Sequence, residues 1–380
     1  MQIDSEISKE QLIDKMLRNE ISPDELSKLL SSIDKTDFRK IIKRIFDINE
    51  SDVVNKSGSE QGLLGFLNGI DRNRKNKKFI KAKKKKDWRK NRKVIIAEGD
   101  SWFEYPIIIK DILDWLIKMK DNKSRDYLYN VCTVASGGDW IANILYEEQY
   151  IEEISLYEPE AFLISGGGND LVGESRISKL VKKRAEVDTS LTIADRDIVN
   201  EIIVSGFTHK QAERIQIGRK FLNKEFYSLL NLFRIQYSLV FKSIELSGKF
   251  SNMKIITQGY DFAIPSNNRN IFINPLRWLM HNGQWLYYPL LNKGISDSEE
   301  QRCVIAAMIH EHNELLIDIG KPLNNVYHID SRGALKDEDW ADELHAYSKG
   351  FKRIAEVYSK CINSIATSDK VIKVGQMFPN

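Results

Sequence analysis

Cysteine and long apolar runs are scarce in this sequence. Its 380 residues include three cysteines, and Cys132, Cys303 and Cys361 are too scattered, and odd in number, for a disulfide framework or a zinc site. We therefore predict reduced, mostly buried thiols. No uncharged apolar run reaches the roughly 18 residues that a membrane-spanning helix needs. The first residues, MQIDSEISKEQLIDKML, carry charges where a secretory signal has its apolar core, so we expect a cytoplasmic protein.

Histidine is also rare, and the six histidines form no recognisable metal site. His310 and His312 are two positions apart on a predicted helix and so face different ways, unlike the histidine pair of a zinc protease. The glycine run 166–168 has neither the lysine nor the spacing of a phosphate-binding loop. We expect neither a metal nor another cofactor.

Charge is abundant but unevenly distributed. The formal net charge is +3. Residues 72–93, RNRKNKKFIKAKKKKDWRKNRK, hold fourteen Lys or Arg and one Asp, which leaves 43 basic and 53 acidic side chains elsewhere. Blocks of like charge are usually solvated and often disordered, so the tract indicates a flexible linker. Contact with nucleic acid or an anionic membrane is the disfavoured alternative, because only Phe79 and Trp88 offer stacking surfaces and lysine outnumbers arginine.

A small helical module precedes this linker. Residues 1–55 show apolar side chains at helical spacing, and SPDEL at 22–26 has the serine and proline of a helix start. The following residues are rich in Ser, Asn and Gly. We place the module at 1–55 and the basic, flexible linker at 56–92.

From Lys93 the chain alternates between short strands and helices. Such alternation predicts an α/β domain with a parallel sheet covered on both faces. We place this domain at 93–365, with a helical insertion or lid at 171–250 and a tail at 366–380. The predicted strands are 94–97, 129–135, 161–165, 254–258 and 325–330, and the predicted helices lie around 109–120, 139–149, 191–246, 297–319 and 349–365.

Polar loops follow four of these five strands, and a parallel sheet gathers such loops at one edge. A serine hydroxyl becomes a nucleophile when a base takes its proton and a third group orients that base. Ser101 offers the hydroxyl, and His345 and Asp342, three residues apart, offer the base and the orienting carboxylate. The four loops contain GDS at 99–101, SGGDW at 136–140, SGGGNDLVG at 165–173 and DWADELHAYSKGF at 339–351.

Acyl transfer also needs hydrogen-bond donors directed at the developing oxyanion. The backbone N–H groups of Ser101 and Gly138 and the side-chain amide of Asn169 are candidates, with Gly137 as a rival to Gly138. Trp102 and Trp140 are candidates to line a substrate pocket, although packing in the core explains each of them equally well.

These blocks together resemble the SGNH, or GDSL, family of serine hydrolases, and in particular a bacterial branch of it. GDSW resembles the first block, SGGD the second, GGND the third and DELH the fifth. The resemblance extends from about Val94 to Cys361. It departs from the family pattern where Trp102 stands for the common leucine and Ala346 for the proline that usually follows the histidine.

The resemblance implies a flavodoxin-like three-layer α/β/α sandwich with a five-stranded parallel sheet. It also implies a metal-independent ester hydrolase acting on a small-molecule or lipid ester, in which Ser101 is the nucleophile and His345 the base. Asp342, rather than Asp339 or Glu343, is then the partner of the histidine. The implied oxyanion hole consists of Ser101, Gly138 and Asn169.

A second hypothesis assigns a different role to the N-terminal part of the chain. The helical module and the basic tract would recruit or regulate the hydrolase domain at a protein partner, an anionic membrane or nucleic acid, as in an effector or adaptor protein.

Overall fold

The centre of the molecule is a parallel sheet of six strands in the order β2-β1-β3-β4-β5-β6. The computed structural model describes residues 7–46, 63–105, 109–173, 176–249, 253–267, 285–364 and 369–377. The strands are β1 (Lys93–Gly99), β2 (Tyr129–Thr133), β3 (Ala161–Ser165), β4 (Lys254–Gln258), β5 (Val326–Asp330) and β6 (Val371–Lys373).

The order of the strands reverses at β1, because the chain passes from β1 to β2 on one side and then to β3 on the other. This is the 2-1-3-4-5 order of flavodoxin-like sheets, extended by one strand. Ligands of such sheets bind at the carboxyl ends of the strands where the order reverses. Gly99 of β1 lies opposite Ser165 of β3 at this point.

The five predicted strands are confirmed, but the predicted tail 366–380 contains a sixth. In β6, Val371 pairs with His328 and Lys373 pairs with Asp330. The three residues of β6 are only half-buried. A strand this short, without alternation of apolar and polar residues, gives no pattern that the sequence alone would reveal.

The N-terminal module is formed by three short helices, α1 (Lys9–Leu17), α2 (Pro23–Ser32) and α3 (Lys35–Ile45). Ser8, Ser22 and Asp34 each accept a backbone N–H three residues further on, which satisfies donors that a helix start leaves free. The predicted Ser22-Pro23 helix start is confirmed. The apolar core of the module is continuous with that of the α/β domain.

The segment predicted as a flexible linker is largely helical from Leu63 onward. Leu63–Lys83 form α4, which covers the outer edge of β2. The Asn76 amide pairs with that edge, since its Nδ2 donates to Thr133 O at 2.8 Å and its Oδ1 accepts the Thr133 N–H at 2.9 Å. The prediction of a flexible linker over 56–92 was therefore wrong for α4. It rested on the number of lysines, which are mostly exposed, and composition does not show that the opposite face of the helix is buried. Residues 56–62 lie outside the described residues.

Lys75 fixes α4 to the loop that follows β1. Its side chain is 1% exposed, and its Nζ lies 2.6 Å from Asp111 Oδ2, 2.9 Å from Asp71 Oδ2 and 3.0 Å from Glu104 Oε2. It also donates to Phe103 O at 2.8 Å. Burial lowers the pKa of Lys75, but these carboxylates outweigh burial and the net pKa is raised. A buried ammonium is stable only when it is paired in this way.

The remaining helices form the outer layers and the connections between strands. In chain order they are α5 (Ile112–Lys118), α6 (Ile141–Glu147), α7 (Gln149–Tyr157), α8 (Gly168–Val172), α9 (Ile177–Leu180), α10 (Ile193–Val204), α11 (His209–Phe221), α12 (Lys224–Leu246), α13 (Tyr287–Leu291), α14 (Ser298–Gly320), α15 (Ser348–Asn363) and α16 (Val374–Met377).

Helices cover both faces of the sheet. On one face α5 packs against α15, and on the other α12 packs against α6 and α14. All residues of β2, β3 and β5 are buried, as expected for parallel strands between two helical layers. The predicted three-layer α/β/α class is therefore confirmed.

The predicted insertion or lid at 171–250 is only partly an addition to this fold. α12 joins β3 to β4 as part of the outer layer, and it also contacts α2 of the N-terminal module. α11 packs on α14 and α10 packs on α11, around a small separate core that includes Val199, Ile202 and Ile215. The added segment is therefore α10–α11, because the apolar face of α12 belongs to the main core.

Two predictions from composition are tested by the same structure. Cys132, Cys303 and Cys361 are buried and unpaired, and burial raises the pKa of each thiol to about 12. Within the described ranges, no helix combines the length and apolarity that crossing a membrane requires.

Candidate active site

The carboxyl end of β1 is held tightly between its neighbours. Gly99 O accepts the N–H of Ser136 at 2.9 Å, and Ser165 O accepts the N–H of Asp100 at 3.1 Å. A Cβ on Gly99 would lie 2.3 Å from Ser165 O, so this position admits only glycine. Ser101 is thereby placed at the point where the strand order reverses.

The carboxylate of Asp100 stabilises the loop that carries Ser101. Its Oδ1 accepts the N–H of Trp102 at 3.1 Å, and its Oδ2 accepts the hydroxyl of Tyr260 at 2.5 Å. The Tyr260 oxygen in turn accepts the N–H of Gly168 at 2.9 Å. Burial raises the pKa of Asp100, although these hydrogen bonds oppose the effect. Asp100 therefore connects the serine loop, the end of β4 and the third block.

Ser101, His345 and Asp342 form one hydrogen-bonded chain. The Ser101 Oγ lies 2.7 Å from His345 Nε2, and His345 Nδ1 lies 2.9 and 3.0 Å from the two carboxylate oxygens of Asp342. Since an ionised carboxylate only accepts, Nδ1 carries the proton and Nε2 is left to accept the serine hydroxyl. This arrangement provides a hydroxyl, a base and a group that orients the base.

A short backbone turn fixes the histidine. Asp342 Oδ1 accepts the N–H groups of Leu344 and His345, both at 2.8 Å. The N–H of Ala341 donates to His345 O at 2.8 Å, and Trp340 pairs with Ala346 in an antiparallel bridge. The residue after the histidine is thus held by backbone pairing, without the proline that is common at this position in the resembled family.

The carboxylate of Asp342 stays ionised despite its burial. Burial raises the pKa of Asp342, but the charge and hydrogen bond of His345, together with the two backbone N–H groups, outweigh it and hold the pKa below its ordinary value. The same carboxylate accepts a further hydrogen bond from the Tyr105 hydroxyl at 3.1 Å.

The hydroxyl of Tyr105 reaches this site, a contact that the sequence did not predict. Its ring centroid lies 4.4 Å from that of His345, and its N–H donates to Asp111 Oδ2 at 3.1 Å. Asp111 also binds Lys75, so α4 is connected through this loop to the aspartate of the site. The sequence showed an aromatic residue four positions after Ser101, but no local pattern indicated that its hydroxyl reaches Asp342.

The alternative partners of the histidine have other contacts. Asp339 binds Arg353. Glu343 turns away from His345, and its carboxylate accepts backbone N–H groups at Ser266 and in the segment 285–287 at 2.9–3.3 Å. It therefore anchors the loop before α13 to the histidine turn.

The three candidate oxyanion donors differ in their surroundings. Asn169 lines one cavity with Ser101, and its Nδ2 donates one hydrogen to Asp139 O at 3.0 Å, which leaves the second hydrogen available. Gly138 is exposed, has φ +90° and has open space at its Cβ position. Among the described residues, the N–H groups of Ser101 and Gly138 donate to no acceptor. Gly137 is buried.

A small apolar cavity of about 40 Å³ opens beside Ser101. Trp102 lines it and is itself 2% exposed, with its ring 5.4 Å from those of Tyr260 and Phe351. Trp140 is not among the described residues that line this cavity; its ring lies 4.4 Å from the Arg176 guanidinium. The structure therefore brings Trp102, but not Trp140, to the cavity. Its other apolar lining includes Val172, Leu286, Ile305, Met308 and Leu344.

Three buried histidines take no part in the hydrogen-bonded chain of Ser101, His345 and Asp342. His310 and His328 have their pKa lowered to about 3, and His312 to about 4, chiefly by burial, so all three are neutral. Within the described ranges, one group of carboxylates has the spacing of a metal site, namely Asp71, Asp111 and Asp114. The cations of Arg74 and Lys75 already bind these carboxylates.

No family model and no curated protein matches this chain. Solved structures with similarity include an extracellular lipase from Streptomyces rimosus, with 11% identity and a TM-score of 0.36 over 70% of this chain and 98% of that one. A catalytic mutant of an acetylxylan esterase from Geobacillus stearothermophilus aligns with 12% identity and a TM-score of 0.36 over 73% and 97%. A family 3 carbohydrate esterase from Clostridium thermocellum aligns with 12% identity and a TM-score of 0.34 over 72% and 99%.

The strand order and the position of the four blocks are the observations that relate this fold to the resembled family. Each block lies where the sequence resemblance requires it, after the carboxyl end of a strand or before the last large helix. The resemblance of the sequence to the SGNH hydrolases therefore holds at the level of the fold.

Proposed function

We propose that the protein is a serine hydrolase of the SGNH type that cleaves a carboxylic ester by two-step acyl transfer. The observation that carries this proposal is the hydrogen-bonded chain from Ser101 through His345 to Asp342, located at the reversal point of a flavodoxin-like sheet. An isolated serine in a turn has no physical need for a buried imidazole at 2.7 Å.

In the first step Ser101 Oγ attacks the ester carbonyl carbon while its proton passes to His345 Nε2. Asp342 stabilises the resulting imidazolium. The N–H groups of Ser101 and Gly138 and the Asn169 amide bind the oxyanion. Collapse of the tetrahedral intermediate breaks the bond to the alcohol, which takes the proton from His345. In the second step His345 deprotonates water, which attacks the acyl carbon. Collapse of this intermediate breaks the bond to Ser101 Oγ, which takes the proton from His345, and the acid leaves.

The cavity beside Ser101 favours a short acyl group. Its 40 Å³ corresponds to about three or four water molecules, and its apolar lining suits a chain of a few carbons. We expect kcat/KM for p-nitrophenyl acetate or butyrate to exceed that for the palmitate ester at least tenfold. A preference for palmitate would overturn this choice of acyl group and favour a lipid ester, without affecting the nucleophile assignment.

Labelling with a fluorophosphonate probe tests the nucleophile. An activated serine reacts covalently with the probe, whereas an ordinary hydroxyl does not. We expect wild type and the control Ser31→Ala, at an exposed serine of α2, to label equally. Ser101→Ala should lose labelling entirely, and His345→Ala should lose it by at least a hundredfold. Undiminished labelling and ester turnover in Ser101→Ala would refute the proposal.

Regulation through the N-terminal part of the chain is a second candidate function. The observation in its favour is the buried contact between Lys75 of α4 and the loop that follows Ser101. A partner that displaces α4 would expose the carboxyl groups of Glu104 and Asp111, which bind Lys75. Tyr105, which donates to Asp342, would then be held less firmly. We expect Lys75→Met to lose more ester turnover than the fraction of unfolded protein accounts for.

A further inference from the structure

A second cavity lies between α4 and the amino ends of β1 and β2. Its volume is about 330 Å³, within the range of small-ligand pockets. Its walls come from α4 and the following turn, from α5 and from the start of β2. Five of its lining side chains are cationic, namely Lys78, Lys81, Lys85, Arg92 and Lys118.

No acidic residue appears among the described residues that line this cavity. Nor does any of the five cations take part in an ion pair with the described part of the chain; Arg92 instead lies over the ring of Tyr127 at 5.5 Å. Lys120 lies over the same ring at 4.7 Å. The buried face of α4 is different, since there Arg74 and Lys75 are paired with carboxylates. The cavity thus concentrates positive charge that no described side chain neutralises by an ion pair.

Accumulated like charge at one cavity destabilises the protein unless an anion compensates it. Burial, together with the charges of Lys110, Lys78 and Arg74, lowers the pKa of Lys118, against the opposing effect of Asp114. Lysine ammonium groups bind phosphate as point charges. We propose that this cavity, the α4–β2 cavity, binds a small ligand that carries a chain of two or more phosphate groups.

The cavity is separate from the candidate active site. Arg92 precedes β1 and Tyr129 begins β2, whereas Ser101 follows the carboxyl end of β1. The seven residues of β1 place about 20 Å between the two ends of the sheet. The inference therefore does not depend on the proposed ester hydrolysis.

The shape of the site favours a compact ligand over a polymer or a membrane. The five cations come from α4 with its following turn, from the residue before β1 and from α5, so they line the cavity from several segments. The phosphate backbone of a polymer would instead require a continuous groove of positive charge. Tyr127 and Tyr129 are the aromatic side chains at the wall besides the buried Phe79, and Tyr129 directs its hydroxyl to Ser359. A compact oligophosphate fits this enclosure best.

Isothermal titration of the full chain with inorganic tripolyphosphate, at about 0.15 M salt, tests the proposal. The variant K81E/K85E reverses two charges at the cavity, and the control K77E/K84E reverses two exposed charges of the same segment outside it. We expect saturable one-to-one binding, weakened at least tenfold in K81E/K85E and less than threefold in K77E/K84E. Since all four side chains are exposed, circular dichroism should show both variants folded.

Further arms of the titration identify the ligand. Equal affinity for ATP and tripolyphosphate assigns the site to a phosphate chain alone, and tenfold tighter binding of ATP assigns it to a nucleoside-linked chain; both support the proposal. Equal losses in the two variants, or no saturable binding, would overturn it. Tenfold tighter binding of single-stranded DNA, or of phosphatidylglycerol vesicles, through Lys81 and Lys85 would also overturn it, in favour of a macromolecular surface.

Discussion

At the scale of single residues, Tyr105 connects the structural core to the chemistry. Its hydroxyl donates to Asp342, and its ring lies against His345. We predict that Tyr105→Phe lowers kcat for a short-chain ester about three- to tenfold, with KM unchanged, because Asp342 loses one of the hydrogen bonds that orient it. The loss of a hydrogen bond should cost about 1 kcal/mol of stability. Tyr146→Phe, at an exposed tyrosine of α6, is the control, and an unchanged kcat in Tyr105→Phe would contradict this role.

Glu104 gives a prediction for the dependence of stability on pH. Burial, reinforced by Asp111 and Asp71, raises the pKa of Glu104 to about 9, although Lys75 opposes it. Among the carboxyl groups that surround Lys75, Glu104 is thus the one that keeps its proton at neutral pH. Below pH 4.5 both the folded and the unfolded chain hold this proton; between pH 4.5 and 9 only the folded chain does. The contribution of Glu104 to folding therefore becomes less favourable as pH rises through this window.

Glu104→Gln should remove this dependence. We expect the free energy of unfolding of Glu104→Gln, relative to that of wild type, to be higher at pH 9 than at pH 5 by at least about 1 kcal/mol. Each pKa unit corresponds to about 1.4 kcal/mol. Urea denaturation at both pH values measures this gain. Glu152→Gln, at an exposed glutamate of α7, should show none, and a parallel pH response in Glu104→Gln and wild type would refute the assignment.

At the scale of elements, α4 is fixed to the α/β domain by the buried ion pairs of Lys75. Lys75→Met leaves Asp71 and Asp111 without their ammonium partner, and breaking a buried ion pair from one side costs about 3–5 kcal/mol. We predict a loss of this size in urea denaturation. Lys77→Met, at an exposed lysine two positions on, should change stability by less than about 0.5 kcal/mol. Equal stabilities of the two variants would mean that α4 is not fixed through Lys75.

The elements also show where reasoning from sequence succeeds. β1 to β5 were predictable because buried parallel strands are continuous apolar runs followed by polar loops. Ser101, His345, Asp342 and Asn169 were predictable as site candidates because each lies in a loop that such a sheet gathers at one edge. The buried face of α4 was not, since Asn76 pairs with Thr133, 57 residues away, and most partners of Lys75 lie 28 to 36 residues away in the loop after β1. The same non-local origin concealed the contact of Tyr105 with Asp342. Trp140 lies against Arg176 and is not among the described residues that line the cavity.

At the scale of the whole molecule, the N-terminal helices are part of one continuous apolar core. Asn19 donates to Ser228 O at 2.7 Å, and Asn231 donates back to Asn19 Oδ1 at 3.0 Å. These reciprocal amide contacts join the turn after α1 to α12, the helix that connects β3 to β4. Any partner that binds α1–α3 therefore acts on a helix of the outer layer and not on an independent appendage.

The distance in sequence between Ser101 and His345 has a consequence during synthesis of the protein. The two residues are separated by 244 positions, and synthesis proceeds at about 5–20 residues per second, so the serine exists for roughly 10–50 s before its base has been made. During that interval the growing polypeptide carries an ordinary hydroxyl. The proposed enzyme therefore does not hydrolyse esters around the ribosome until His345 has been translated and has reached Ser101.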